Sequence, residues 1–216
     1  MRPLPEGLLA TLDALGGLGP AAILLRHADR DPFAPGEDGT HAKLTDEGAE
    51  RAEALGRLLR SRAGLRAETS PLHRCGHTAE RILAGAAVVA TIADNTLLGA
   101  PGPFVVDGPG GRDLFLSIGT EGVVRGQIAG ENWPPMRTTA EGLALVVGDL
   151  QQRLRELGGT LVCISHDAII MPVIAALTGE RFVGTWLEPL DGMALALGRG
   201  GELVRIWRGR LTEPGA

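Results

Sequence analysis

AAILLRH (residues 21–27) and TLVCISHD (160–167) decide how this chain is read. Each is a short, continuous apolar run that stops abruptly at a histidine, the pattern of a strand covered on both faces whose carboxyl end meets solvent. Outward from the first run, residues 5–17 place Leu8, Leu9, Leu12 and Leu15 at helical spacing before Gly16, Gly17 and Gly19 end the pattern, which predicts a short amphipathic helix. A loop rich in Pro, Gly and Asp is expected from Asp29 to Lys43. Thr45 then caps a helix carrying Gly48, Ala49, Ala52, Leu55, Leu58 and Leu59. A strand over Leu65–Thr69, a helix opened by Ser70-Pro71 and running to about Leu83, and a strand over Val88–Ile92 follow. Around the second run, helices are predicted over Thr139–Leu157 and Asp167–Leu177, and Met193–Leu197 with Leu203–Trp207 reads as a hairpin across Gly198-Arg199-Gly200-Gly201. Alternating strands and helices imply an α/β fold: a three-layer sandwich with a mostly parallel central sheet and helices on both faces. Residues 94–137 are irregular, rich in Gly and Pro, and too long for a plain connector, so they are expected to form a loop-rich cap or lid over a binding site, fixed by Phe104, Leu114, Phe115 and Trp133.

With 216 residues at 22.5 kDa, one domain spanning 1–216 is expected, with its cap inserted at about 94–137. A chain that is 44% hydrophobic and 22% charged is neither disordered nor low-complexity, and no apolar run approaches the roughly 20 residues that span a bilayer. Residues 1–19 lack the basic-then-apolar arrangement of a secretory signal, so the cytoplasm is the expected location. Two cysteines are too few for a disulfide framework or a Cys-rich zinc site, and reduced thiols are expected. A net charge of -5 argues against nucleic acid or an anionic membrane as partner, and four Phe, three Trp and no Tyr offer little for base stacking. The composition is compatible with a homo-oligomer. Any anion must be held by a local cluster, and all but Lys43 of the 21 basic residues are Arg, which forks onto phosphate.

Such a cluster is legible. If the two apolar strands are parallel and central, His27 and His166 share the crevice outside their carboxyl ends, where open α/β sheets bind ligands. RHADRDP (26–32) adds Arg26 and Arg30, and SPLHRC (70–75) brings Arg74 at a helix start, where backbone N–H groups also favour an anion. Rival chemistries fare worse. His73 and His77 stand i and i+4 apart with Cys75 between them, but position 74 is Arg where a zinc protease needs Glu, and that cation would repel a metal. Cys75 and Arg81 have the spacing of a cysteine-phosphatase loop, but Arg precedes the cysteine where that loop has His, and Cys75 reads as a small core residue. Ser165, His166 and Asp167 are consecutive and point different ways, so they form no hydrolase triad. There is no G-x-S-x-G elbow, and with Lys43 as the lone lysine there is no P-loop.

At these residues the chain resembles the histidine phosphatase superfamily, the phosphoglycerate mutase-like fold. Arg26-His27-Ala28 is similar to its Arg-His-Gly signature, LTDEGAERAEALGRLL (44–59) to the helix that follows, SPLHRCGHTAE (70–80) to its second basic motif, and Ser165-His166-Asp167 to its second-histidine motif. R-H-x-x-R-x-P would arise by chance from this composition only about 0.003 times. R-H-x-x-R-x-P and His-Asp look like the acid-phosphatase branch, whereas the length and S-P-L-x-R-C-x-x-T-A look like the small-phosphatase branch. The resemblance implies His27 as nucleophile, with Arg26, Arg74 and His166, and Arg30 in the acid-phosphatase pattern, around the phosphoryl group. It matches Asp167 to the proton donor of one branch. The other branch takes a Glu from the segment after the third strand, where LLGAPGPF (97–104) has no carboxylate and Asp107 is nearest. The implied activity is hydrolysis of a small phosphorylated metabolite through a phosphohistidine, with no metal and no cofactor. A phosphomutase, which must shield its phosphohistidine and hold a second phosphate, and a phosphoryl-binding module without turnover, given Ala28 in place of Gly, are the alternatives.

Overall fold

The computed structural model describes residues 2–32, 39, 41–198 and 200–213. Residues 33–38 and 40 of the expected 29–43 loop, and Arg199 of the hairpin turn, lie outside these.

In chain order the elements are α1 (Glu6–Leu15), β1 (Ala21–Arg26), α2 (Asp46–Leu59), β2 (Arg66–Thr69), α3 (His73–Ala86), β3 (Ile92–Asp94), a 3-10 turn (Thr96–Leu98), α4 (Gly108–Ala129), α5 (Thr139–Leu157), β4 (Thr160–Ser165), α6 (Asp167–Thr178), β5 (Gly192–Leu197), β6 (Leu203–Trp207) and β7 (Arg210–Thr212). Among the described residues the strands form one seven-stranded sheet in the order β3-β2-β4-β1-β5-β6-β7. From β3 to β1 the pairing is parallel, and the β5-β6-β7 side is antiparallel. The parallel part of the mixed sheet is therefore its βαβ half, and the C-terminal meander completes the other edge.

Strand alternation sorts the core into two layers. Ala21, Ile23 and Leu25 of β1 pack with Leu8 and Leu15 of α1, Leu55 and Leu59 of α2 and Ile82 of α3 on one face. Ala22 and Leu24 pack with Val123 of α4, Val146 and Leu150 of α5 and Ile170 and Val173 of α6 on the other. Helices thus cover both faces, and β1 and β4, fully buried but for Arg26, lie at the centre. Two side-chain caps hold their helices: the expected Thr45 Oγ1 accepts from Gly48 N at 3.0 Å, and Thr138 with Glu141 forms a capping box on α5. Helices α2 and α3 meet backbone to backbone. A Cβ added at Gly56 would lie 2.0 Å from the Ile82 carbonyl oxygen, and one at Gly85 2.0 Å from that of Glu53.

Two expectations are corrected. The strand expected over Val88–Ile92 is β3 at Ile92–Asp94, paired only with β2 at the sheet edge. The segment expected to be irregular over 94–137 contains the 22-residue α4, broken at Gly119, whose φ of 72° and ψ of 164° are not helical. Glycine composition concealed it, because each glycine in a helix interior costs about 1 kcal/mol of propensity. Packing supplies the compensation: Val123 and Val124 are fully buried and Phe104 nearly so, with Leu114, Phe115 and Trp133 packed partly buried against the same layer.

Candidate active site

The strand order brings the site together. Because β4 lies between β2 and β1, three parallel strands end side by side, with Arg26 opposite Ser165 and Thr69 opposite Ile164. The next residue after each strand continues the ladder: His27 N donates to Ser165 O at 3.0 Å, and Ser70 N donates to Ile164 O at 2.9 Å. His27, Ser70 and His166 are therefore delivered to one edge. The two imidazoles meet edge to face, with centroids 5.5 Å apart and planes at 65°.

The hydrogen bonds assign the tautomers. The Ala28 carbonyl lies 2.8 Å from His27 Nδ1, and a carbonyl can only accept, so Nδ1 carries the proton and Nε2 keeps a lone pair. Arg74 Nη2 lies 3.2 Å from His166 Nδ1, and a guanidinium can only donate, so the His166 proton is on Nε2, which donates to Ser70 Oγ at 2.9 Å. Burial pushes His27 down to about 3; the Ala28 carbonyl, the next largest influence, opposes it, and the charges of Arg74 and Arg26 add smaller pushes downward. Burial, with Arg74 next, likewise holds His166 well below the usual imidazole range. Both rings are uncharged at neutral pH. Arg30 and Arg74 are also lowered, chiefly by burial, as expected of cations gathered in one place.

A cleft of about 380 Å³ opens over this edge, lined by Arg26, His27, Arg30, Arg74, His166 and Asp167 together with Phe115, Thr120, Glu121, Ala168 and Trp186. Every histidine, arginine and aspartate expected around the phosphoryl group from the sequence lines it, except Asp107. That residue is exposed and caps α4 by accepting from Gly110 N at 3.2 Å. Asp167 is held by three donors: Arg26 Nη2 and Trp186 Nε1, at 2.9 and 2.8 Å from Oδ2, and Ala168 N at 2.9 Å from Oδ1. The carboxylate beside Arg30 in sequence, Asp29, instead pairs with Arg51 and Arg2, and Arg30 donates to the Asp31 carbonyl at 2.7 Å.

Residues 22–97 match the family profile described as histidine phosphatase superfamily (branch 1). Over those residues the chain is similar to that superfamily. No curated protein matches it significantly. A mycobacterial glucosyl-3-phosphoglycerate phosphatase shares the fold at 17% identity and a TM-score of 0.56, over 90% of this chain and 98% of that one. A phosphoserine phosphatase mutant from Entamoeba histolytica, in complex with phosphoserine, does so at 18% and 0.58, over 90% and 95%. Phosphoglycerate mutase from Bacillus anthracis does so at 14% and 0.57, over 92% and 93%.

Sequence reasoning placed Phe115 in the cap but missed Glu121 and Trp186 within the cleft and Ser70 beside it. Ser70 stood inside a quoted motif, and Glu121 and Trp186 carry no local signal. Gly99 is a further positioning element: a Cβ there would lie 2.6 Å from Ser70 Oγ and 2.8 Å from His166 Nε2, so only glycine lets this loop close on the second histidine. Cys75 and Cys163 are free and buried, and burial pushes the Cys75 thiol up to about 12, which leaves it protonated as a core side chain. His73 and His77 lie with ring centroids 6.0 Å apart, and among the described residues no group of three or more His, Cys, Asp or Glu could hold a metal ion. No described helix is long and apolar enough to cross a membrane.

Proposed function

We propose that the protein is a phosphomonoesterase that hydrolyses a small phosphorylated metabolite through a phosphohistidine on His27, without metal or cofactor. The observation that carries this reading is the neutral His27, with Nε2 unprotonated, beside three arginines in one cleft. Nε2 attacks phosphorus in line with the ester oxygen; the N–P bond forms as the P–O bond breaks, and the departing alkoxide takes a proton from the Asp167 carboxyl group. Water then attacks the phosphohistidine, its proton returns to Asp167, and breaking the N–P bond releases inorganic phosphate and neutral His27. Arg26, Arg30 and Arg74 neutralise the equatorial oxygens, which share the charge in the transition state, so positioning and electrostatics supply most of the rate. His166 supports them by holding Arg74, which donates to its Nδ1 at 3.2 Å. The 94–137 segment acts as a cap on a single domain, since Phe115, Thr120 and Glu121 reach the cleft. Two buried, free thiols suit the reducing cytoplasm.

The test is a screen of phosphorylated metabolites for released phosphate, with and without chelator, on the protein and on His27→Ala. Turnover that survives chelation and is lost in the variant is expected. Release that needs added metal, or persists without His27, overturns the reading.

A further inference from the structure

A second space opens off the cleft. It holds about 110 Å³ and is lined by Leu72, Phe104, Val105, Phe115, Met136 and Ile169 among others, with Phe115, His166 and Ala168 shared with the cleft itself. On a comparable measure one water needs only about 10–15 Å³, whereas whole-ligand sites run to roughly 300–1,000 Å³. The space therefore suits one substituent of a ligand whose remainder lies in the cleft. Among the described residues no Arg or Lys lines it, so a carboxylate or a second phosphate entering there would be desolvated without a counter-charge.

One polar group besides His166 contributes to this lining, Gln127 of α4, which is 2% exposed. Its Nε2 is buried and has no hydrogen-bond partner among the described residues. A buried amide donor left unserved is unfavourable, and native structures rarely keep one without a purpose.

We infer that this pocket receives the organic part of the phosphomonoester, and that Gln127 donates to one oxygen on it. Resting on the phosphatase reading above, this narrows the substrate class to an uncharged, short, largely apolar alcohol phosphate bearing one acceptor such as a carbonyl or ether oxygen. A phosphorylated acid would be refused. The phosphoryl group sits among the arginines, the ester carbon chain passes Phe115, and the acceptor reaches Gln127. The pocket then sets the specificity that the cleft, built for phosphate alone, lacks.

The test compares acetyl phosphate, n-butyl phosphate, 3-oxobutyl phosphate, 3-phosphoglycerate and phosphoserine. Acetyl phosphate carries an activated leaving group that needs no pocket, and so reports the phosphohistidine chemistry by itself. Expected is kcat/KM for 3-oxobutyl phosphate at least about tenfold above both phosphorylated acids and severalfold above n-butyl phosphate. Gln127→Leu should erase the advantage of the oxo group, and Met136→Trp, which fills the pocket, should raise KM for both butyl esters. In both variants inhibition by inorganic phosphate and turnover of acetyl phosphate should be retained. If acetyl phosphate is hydrolysed but the phosphorylated acids match the butyl esters, or Gln127→Leu leaves the oxo preference intact, the inference is overturned and the phosphatase reading stands. If acetyl phosphate is not hydrolysed at all, both fall.

Discussion

Arg26 and Asp167, the chain neighbours of the two cleft histidines, are ion-paired across adjacent strand ends with Nη2 and Oδ2 2.9 Å apart. Both side chains are only 16% exposed, so this is not the surface pair whose contribution is about 0–1 kcal/mol; removing one partner would leave a half-buried charge uncompensated. The pair also fixes where a proton could be delivered, because Trp186 and the Ala168 amide hold the remaining carboxylate positions. The orientation of the Asp167 carboxylate and the closure of the sheet edge are thus one interaction.

Asp167→Asn should lower kcat for alkyl phosphates by about 10²–10⁴-fold and for activated aryl phosphates by far less, since a good leaving group needs no acid. Glu121, the other carboxylate lining the cleft among the described residues, is 67% exposed and paired with Arg125 at 2.7 Å. Glu121→Gln should leave the leaving-group dependence unchanged. The reverse pattern in steady-state kinetics would move the proton donor onto the cap.

His27→Ala should lower phosphate release by at least about 10³-fold with little change in far-UV circular dichroism, because the variant removes the nucleophile of the proposed reaction. Acid-quenched protein given a labelled phosphoryl donor should carry the label on the wild type and not on the variant. A labelled variant would place the covalent step elsewhere.

For Arg74→Ala, the inhibition constant of inorganic phosphate should rise about tenfold or more, through loss of a charge-assisted donor and of the group that orients His166 from 3.2 Å. Arg74 is 7% exposed and also donates to the Gly39 carbonyl at 2.8 Å, so some loss of stability should accompany the change. Unaltered phosphate inhibition in a folded variant would remove Arg74 from the phosphate site.

Gly99→Ala tests the loop that touches His166. Its φ of 147° disfavours a side chain, and the added methyl would overlap Ser70 Oγ and the His166 ring. We expect about 1–3 kcal/mol of destabilisation in urea unfolding and about a tenfold loss in kcat, because both strand-end partners must shift. Wild-type kinetics in this variant would show that the contact has no part in positioning the second histidine.

How much of this could be read from the chain depends on how local each cause is. Strand β4 and helix α5 fall on their predicted bounds because an apolar run with an abrupt end, and a long helical stretch between loops, are local patterns. His27, His166, Arg26 and Arg74 were legible because parallel strands deliver their ends to a common edge whatever packs around them. Helix α4 was not, since its glycines argue against it and the burial of Val123 and Val124 that compensates for them depends on the rest of the fold. Glu121 and Trp186 enter the cleft from α4 and from the loop before β5, a placement no spacing encodes. The three-residue β7, an exposed edge partner of β6, has too little pattern to be seen at all. Asp29 shows the same limit: Arg30 is its nearest cation in sequence, yet Arg51 and Arg2, distant along the chain, reach it.

The two histidines should also give the fold an acid liability. His27 titrates at about 3 in the folded protein, chiefly through burial, against about 6.5 in the unfolded chain. As pH falls below 6.5 the unfolded chain therefore binds a proton that the folded one refuses, so stability present above 6.5 is lost progressively down to about 3. By pH 5 this amounts to about 2 kcal/mol for His27 alone, and His166, lowered in the same direction by burial, adds to it. Carboxylates also titrate in this range, so the measurement is a difference: urea unfolding at pH 7 and pH 5 for wild type and His27→Asn. The variant should lose less stability on acidification by about 2 kcal/mol, since the group that must charge on unfolding is gone. Equal losses would mean that His27 binds its proton as readily folded as unfolded, which would deny it the uncharged state a nucleophile at phosphorus requires.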